Sequence, residues 1–224
     1  MSKERIYLFD TTLRDGQQTP GIDFSVEDKI AIATMLDNFG LDYVEGGYPG
    51  ANPTDTKFFE KKRTARAAFV AFGMTKRAGI SVSNDPGMSL LLQAKSDAIC
   101  FVAKSWDYHV KVALGCTNEE NLESIDQSVK AAVAAGKEAM IDCEHFFDGY
   151  KANRDYALAC AKTAYDAGAR WVVLCDTNGG TQPSEIRDIV ADVIAAGVPG
   201  DRLGIHPHND TGQAVANALA AIEA

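Results

Sequence analysis

Short apolar runs alternate with longer amphipathic segments along nearly the whole chain, and this rhythm limits the possible folds more than any other feature. Because the runs are almost continuously apolar, they are typical of parallel strands that are covered on both faces. Their spacing of about 30 to 35 residues is typical of strand–helix repeats. Seven runs are predicted as strands, at residues 6–9, 42–47, 67–72, 97–102, 138–143, 171–175 and 202–206.

The longer segments between these runs carry helix boundary signals. The segment 25–40 starts with Ser25, a favoured N-cap, and has Asp28 three residues later, a weaker form of the capping box. It ends at Gly40, a residue favoured just beyond a helix. The segment 153–169 has a helical pattern and a glycine near its end. Both segments are therefore predicted to be helices between parallel strands.

An open doubly wound sheet and a closed (β/α)8 barrel both fit this rhythm. Polar clusters follow nearly every predicted strand, and only a barrel brings all of them to one rim, where barrel active sites lie. We therefore expect an α/β protein with a TIM (β/α)8 barrel as a single catalytic domain over residues 1–224. The sequence contains about seven βα units and stops within "TGQAVANALAAIEA". We expect a truncated barrel that lacks the eighth strand. We also expect the downstream subdomains and the regulatory domain to be missing from this chain.

Charge and composition exclude several classes of protein. The net charge of −9 argues against nucleic-acid and anionic membrane surfaces as partners. No apolar stretch is long enough to cross a membrane, and the N-terminus does not resemble a signal peptide. The five cysteines form no C-x-x-C pair, which indicates reduced, buried thiols. We expect a cytoplasmic protein with no membrane partner.

Two histidines and one aspartate are candidate metal ligands. His206 and His208 stand one residue apart in "GIHPHND", so their side chains project from the same face of a strand. Asp15 follows the first predicted strand and would add an oxygen ligand on the same rim. Such a set suits Mg²⁺, Mn²⁺ or Zn²⁺. The alternative is that Asp15 only caps a turn before Gly16.

Further polar residues follow the other strands. Arg14 is suited to hold developing negative charge on an oxygen or to bind a carboxylate. Glu45 is equally well explained as a structural acceptor for backbone N–H groups and as an acid or base. In "IDCEHFFDGY", alternation places Asp142 and Glu144 on one face. His145, beside two phenylalanines, is more typical of a core residue.

The sixth strand is followed by "CDTNGGTQP", in which the hydroxyl of Thr177 is a candidate group for binding a substrate carboxylate. The sequence contains no Walker A, G-x-G-x-x-G or G-x-S-x-G pattern. That absence argues against nucleotide-binding and serine-hydrolase functions.

The motifs "DTTLRDGQQTPG" and "GIHPHND", in this order, resemble the family of metal-dependent Claisen-condensing and cleaving barrels. This family includes 2-isopropylmalate, homocitrate and citramalate synthases and hydroxymethylglutaryl-CoA lyase. The resemblance runs along essentially the whole chain. The segments "YVEGGYPGANPTD", "IDCEHFFDGYKANRDYA" and "VLCDTNGGT" look most like those of citramalate synthases.

The resemblance implies roles for seven residues. Asp15, His206 and His208 would bind the divalent metal, and Arg14 would polarise the keto or enolate oxygen. Glu45 matches a position linked to proton transfer. By the same resemblance, Glu144 would orient Arg14 and the substrate, and Thr177 would hold the carboxylate of the keto acid.

The implied reaction condenses acetyl-CoA with a 2-keto acid, and for a citramalate synthase that acid is pyruvate. Hydrolysis of the thioester then releases CoA, in the biosynthesis of branched-chain amino acids. Three alternatives stay open: a 2-isopropylmalate synthase that uses 2-oxoisovalerate, a lyase that cleaves a 3-hydroxyacyl-CoA, and a fragment without catalysis. An exposed barrel edge leads us to expect a homodimer.

Overall fold

The computed structural model describes residues 5–224, in which seven strands form one parallel sheet. Each strand pairs with the next in chain order, and the order never reverses. A doubly wound sheet needs such a reversal, so this order corresponds to the wall of a barrel. The strands are β1 (Phe9–Asp10), β2 (Tyr43–Gly47), β3 (Ala68–Met74), β4 (Ala98–Lys104), β5 (Glu138–Glu144), β6 (Trp171–Asp176) and β7 (Leu203–Pro207).

Helices connect the strands and cover the outer face of the sheet. Within residues 5–224, no helix combines the length and the apolar character needed to cross a membrane. The helices are α1 (Val26–Phe39), α2 (Pro53–Phe58), α3 (Pro86–Gln93), α4 (Asp107–His109), α5 (Asn118–Ala134), α6 (Phe146–Ala152), α7 (Arg154–Asp166), α8 (Pro183–Ala195) and α9 (Ala214–Glu223). A π-helical turn at Val110–Leu114 follows α4 directly.

The predicted barrel architecture with about seven strands is confirmed, and all seven strands occur at the predicted places in the chain. The first strand is the least accurate prediction, because residues 6–9 were expected and only Phe9 and Asp10 pair with β2. Ile6 and Leu8 are more than half exposed. A strand forms only where a neighbour accepts its hydrogen bonds, and among the described residues β1 pairs on one side only.

Side chains of the strands alternate between two apolar layers. Tyr43, Val70, Cys100 and Met140 pack together inside the curved sheet. Their neighbours along the strands face outward and pack against the helices in the larger core. Glu45 lies two residues beyond Tyr43 on β2, and Asp142 lies two residues beyond Met140 on β5. Both therefore face inward as well, nearer the carboxyl ends of their strands, so their carboxylates point into the mouth of the barrel.

Helix α1 has the boundaries predicted from its caps. The Ser25 side chain accepts a hydrogen bond from the N–H of Asp28, whose carboxylate accepts one from the N–H of Ser25. Gly40 ends the helix with a φ of 94°, a left-handed conformation that favours glycine. The last turn of α1 carries Asp37, whose carboxylate accepts hydrogen bonds from the three successive N–H groups of residues 65–67, at 2.7 to 2.9 Å. Asp37 therefore ties α1 to the segment that leads into β3.

We expect Asp37→Asn to lower the free energy of unfolding by about 2 kcal/mol, because hydrogen bonds to a buried carboxylate are lost. For a chain of this size that corresponds to a fall in Tm of roughly 4–8 °C. The three backbone N–H groups hold the pKa of Asp37 below its usual value, although burial opposes them. Its stabilising effect is therefore complete above the ordinary carboxyl pKa and is lost as the pH falls through the lower folded-state value. Thermal unfolding of both proteins across acidic pH checks this, and a gap in Tm that stays constant down to about pH 2 would contradict it.

Candidate active site

The carboxyl ends of the first and seventh strands bring the predicted metal ligands together. His206 lies on β7 and His208 just beyond it, and Asp15 lies in the turn after β1. The Asp15 Oδ2 atom is 3.3 Å from the Nε2 atom of His206 and 3.7 Å from that of His208. The three side chains are partly exposed, so the cluster opens to solvent at the rim.

These three groups fit one divalent cation. Two ligands that each lie about 2.1 Å from an ion are about 3.0 to 3.4 Å apart at octahedral or tetrahedral angles, close to the distances observed here. The hydrogen bond to His206 lowers the pKa of Asp15 to about 2, although burial opposes the shift, so the oxygen ligand is ionised at neutral pH. One carboxylate and two imidazoles leave coordination positions for a substrate.

A second, deeper group shares His206 and adds Asp142 and Cys175. Burial raises the pKa of the Cys175 thiol well above its ordinary value, so this sulfur keeps its proton. A cation bound there would have to displace this proton, because metals bind the thiolate, and it would have to reach a fully buried sulfur. The rim group of Asp15, His206 and His208 is therefore the better cation site of the two.

Arg14 lies at the centre of a set of carboxylates. Its Nε donates to Glu45 Oε2 at 2.7 Å, its Nη1 donates to Asp15 Oδ1 at 3.1 Å, and its Nη2 is 3.9 Å from Asp142 Oδ2. The guanidinium lies 3.9 Å from the ring centroid of Phe72. Burial favours a lower pKa for Arg14, but the surrounding carboxylates outweigh it and raise the pKa. The cation is thus fixed in place next to the candidate metal ligands.

Glu45 is fully buried, and only one of its oxygens has a partner. Oε2 accepts from Arg14, whereas Oε1 has no hydrogen-bond partner among residues 5–224. Burial raises the pKa of Glu45 to about 7, in spite of the opposing charge of Arg14. A buried carboxyl group with a pKa near neutrality and a free oxygen can take up or release a proton. The environment of this residue therefore favours the acid–base interpretation over that of a backbone acceptor.

Asp142 joins the site although the sequence analysis assigned it no role. It is buried on the inner face of β5, and burial raises its pKa. Its Oδ1 has no hydrogen-bond partner in the part of the chain that the structure describes. The sequence signal was an ionisable residue inside an otherwise apolar strand, "EAMIDC". Burying such a residue is unfavourable unless it has a partner or a function.

Glu144 lies on the same face of β5, as alternation predicted, but its contact differs from the one implied by the resemblance. It pairs with Lys104, its register neighbour on β4. The carboxylate that orients Arg14 is that of Glu45. The difference follows from the strand register, which places Lys104 directly beside Glu144.

Thr177 follows β6, and its Oγ1 accepts a hydrogen bond from the backbone N–H of His145 at 2.8 Å. Since the oxygen is used as an acceptor, its own proton remains available to an anionic ligand. His145, which was expected in the core, lies at the edge of the core with its side chain 15% exposed. It stands where the chain turns from β5 into α6, with a φ of 54° and its ring 4.4 Å from that of His109.

Comparison with known proteins adds independent findings. The profile of a protein family described as HMGL-like matches residues 5–224. The (R)-citramalate synthase of Streptomyces coelicolor is 50% identical over 99% of this chain and 42% of its own length. The probable 2-isopropylmalate synthase of Methanopyrus kandleri is 36% identical over 99% of this chain and 42% of its own length. The chain therefore spans less than half the length of these curated relatives.

Solved structures support the fold. The HMG-CoA lyase of Bacillus subtilis superposes with a TM-score of 0.77 over 99% of this chain and 74% of that one, at 18% identity. At this level of identity the likeness concerns the barrel architecture alone.

Proposed function

Because this chain belongs to the HMGL-like family, we propose that it carries out the metal-dependent condensation of acetyl-CoA with a 2-keto acid. The proposed keto acid is pyruvate, and the product is citramalate, in branched-chain amino acid biosynthesis. The observation that carries the proposal is the convergence of Asp15, His206 and His208 next to the Arg14 guanidinium. The identity of 50% to an (R)-citramalate synthase supports the choice of pyruvate.

The proposed cation is Mg²⁺, Mn²⁺ or Zn²⁺, held by Asp15, His206 and His208. When bound, it supplies Lewis acidity toward the keto oxygen and a fixed point for the substrate. Arg14 presents its remaining N–H donors to the oxygen on which negative charge develops. Its contacts with Glu45 and Asp15 hold these donors in place, so little reorganisation is needed during the reaction.

The hydroxyl group of Thr177 donates a hydrogen bond to the carboxylate of the keto acid. During the reaction the methyl carbon of acetyl-CoA gives up a proton and bonds to the keto carbon, and the keto oxygen takes up a proton and becomes a hydroxyl. Glu45 delivers the proton to this oxygen from its Oε1 and is reprotonated by the one released from the methyl carbon, so the condensation neither gains nor loses a proton overall. Water then cleaves the thioester and releases CoA. The small-molecule partners proposed are acetyl-CoA and the keto acid, and the homodimer stays a prediction.

A second candidate is the condensation of acetyl-CoA with 2-oxoisovalerate, as in 2-isopropylmalate synthesis. The relative from Methanopyrus kandleri at 36% identity favours it. The two keto acids differ only in their apolar side chains, methyl against isopropyl, and a hydrophobic pocket discriminates by about 10–200-fold for each methylene group. The choice therefore depends on a direct comparison of substrates.

We expect CoA release from acetyl-CoA to be faster with pyruvate than with 2-oxoisovalerate, and to require added Mn²⁺ or Mg²⁺. A thiol reagent detects the released CoA, and isotope-labelled pyruvate identifies the new carbon–carbon bond by NMR. Faster turnover of 2-oxoisovalerate would assign the chain to the second candidate. Pyruvate-independent release, or cleavage of a 3-hydroxyacyl-CoA instead, would refute the proposed condensation.

A further inference from the structure

Lys29 of helix α1 is completely buried, and its side chain reaches the two segments that carry Arg14 and Glu45. Its ammonium group donates to the backbone oxygen of Leu13 at 2.8 Å and to that of Gly46 at 3.1 Å. Leu13 immediately precedes Arg14, and Gly46 immediately follows Glu45. One side chain therefore connects the backbones on both sides of the Arg14–Glu45 ion pair.

The backbone of β2 is irregular at this point. The pairing with β3 runs in register through Glu45, then skips Gly46 and resumes at Gly47. Such a bulge releases a carbonyl from the ladder and re-aims the neighbouring side chain. Here the carbonyl oxygen of Gly46 is the one that accepts from Lys29. Lys29 thus donates directly to the carbonyl of the bulged residue.

Asp55 of α2 completes the buried pair. Its carboxylate contacts the Lys29 ammonium and also accepts from the N–H of Tyr48 at 2.8 Å. It packs directly against Gly47, where a Cβ atom would lie 2.6 Å from the carboxylate and φ is 140°. Only glycine allows the carboxylate to come this close to β2. The pair therefore fits against the bulged strand as well as against the loop after β1.

We infer that Lys29, paired with Asp55, is a positioning residue that sets the relative placement of Arg14, Asp15 and Glu45. Two of the three donors of the Lys29 ammonium go to the peptide units that border these site residues, and the third goes to Asp55. Asp37, on the same helix, is also a buried polar anchor, but it binds the segment before β3 at the opposite end of the barrel. Any effect of Lys29 on the reaction, through Arg14 and Glu45, rests on the synthase function proposed above.

The test compares Lys29→Met with Asp37→Asn as a matched control. Hydrogen exchange is measured at the amides of Arg14, Asp15 and Gly16, all of which donate to the backbone oxygen of Thr11. Mn²⁺ affinity is measured by calorimetry. We expect faster exchange at these amides and roughly 10–100-fold weaker Mn²⁺ binding in Lys29→Met, the size of effect found for outer-shell partners. The control should lower Tm and leave both quantities unchanged.

Equal effects in the two variants, or no effect of Lys29→Met, would overturn the inference and leave Lys29 as a stability residue. If Lys29→Met does not fold, the double variant Lys29→Met with Asp55→Asn replaces it. The double variant has no unpaired buried charge, and the amide oxygen of the new side chain still accepts from the N–H of Tyr48. Hydrogen exchange needs neither metal nor substrate. A failure of the proposed synthase activity would therefore leave this readout intact.

Discussion

Replacing His206 and His208 together by alanine is expected to abolish specific Mn²⁺ binding. The variant removes both imidazole ligands and leaves only the Asp15 carboxylate of the rim group. The loss should exceed the roughly 10–100-fold that removal of an outer-shell partner costs. Calorimetric titration of Mn²⁺ into metal-stripped protein measures it. Condensation of acetyl-CoA with pyruvate should fall to background, because the keto acid loses its anchoring point.

The matched control is His109→Ala, since His109 belongs to neither group of candidate ligands within residues 5–224. This variant should bind Mn²⁺ like the unmodified protein. Mn²⁺ binding that survives in the double histidine variant would place the metal elsewhere. Loss of binding in both variants would indicate a general effect of histidine removal on the fold, which thermal unfolding would reveal.

The second large effect is expected for Arg14→Lys. An ammonium group keeps the charge but lacks the planar fork that contacts Glu45 and Asp15 at the same time. Donors aimed at a developing oxyanion are worth about 10²–10³-fold in kcat. We therefore expect a fall of that order in kcat for CoA release, with a much smaller change in the KM for pyruvate.

Arg63→Lys serves as the control for this substitution. Arg63 also lies over an aromatic ring, that of Phe58 at 5.3 Å, and donates to the backbone oxygen of Phe58. It has no contact with the site residues, so its variant should retain full turnover. A kcat of Arg14→Lys within about threefold of the unmodified protein would contradict the role assigned to Arg14, because it would leave less than about 1 kcal/mol for its donors.

The sequence predicts that Asp15, His206 and His208 lie close together because two simple regularities determine their positions. His206 and His208 face the same side through the two-residue period of a strand. Asp15 meets them because the carboxyl ends of all barrel strands share one rim. Both regularities follow from the backbone alone, so the positions of these three residues can be predicted without knowing where any other side chain lies. The same holds for helix α1, whose capping residues are local to its ends.

The contacts that could not be predicted depend on strand register and on side chains that meet residues far away in the sequence. The pairing of Glu144 with Lys104 follows from the alignment of β5 with β4, which no local pattern encodes. The buried position of Asp142 beside Arg14 requires strands that are far apart in sequence. Lys29 contacts groups 16 to 26 residues away through a long side chain on an outer helix. Hydrophobic patterning places such a residue on a helix face but does not reveal its partners.

Pulsed electron paramagnetic resonance on the Mn²⁺-loaded chain with ¹³C-labelled pyruvate tests whether the rim group binds the metal and the keto acid together. It reports, in one sample, which protein nuclei and which substrate nuclei lie next to the metal. We expect ¹⁴N couplings from two imidazoles, lost in the double histidine variant, together with ¹³C couplings from bound pyruvate. A spectrum with couplings from water protons alone would contradict both the metal site and its use in binding a 2-keto acid.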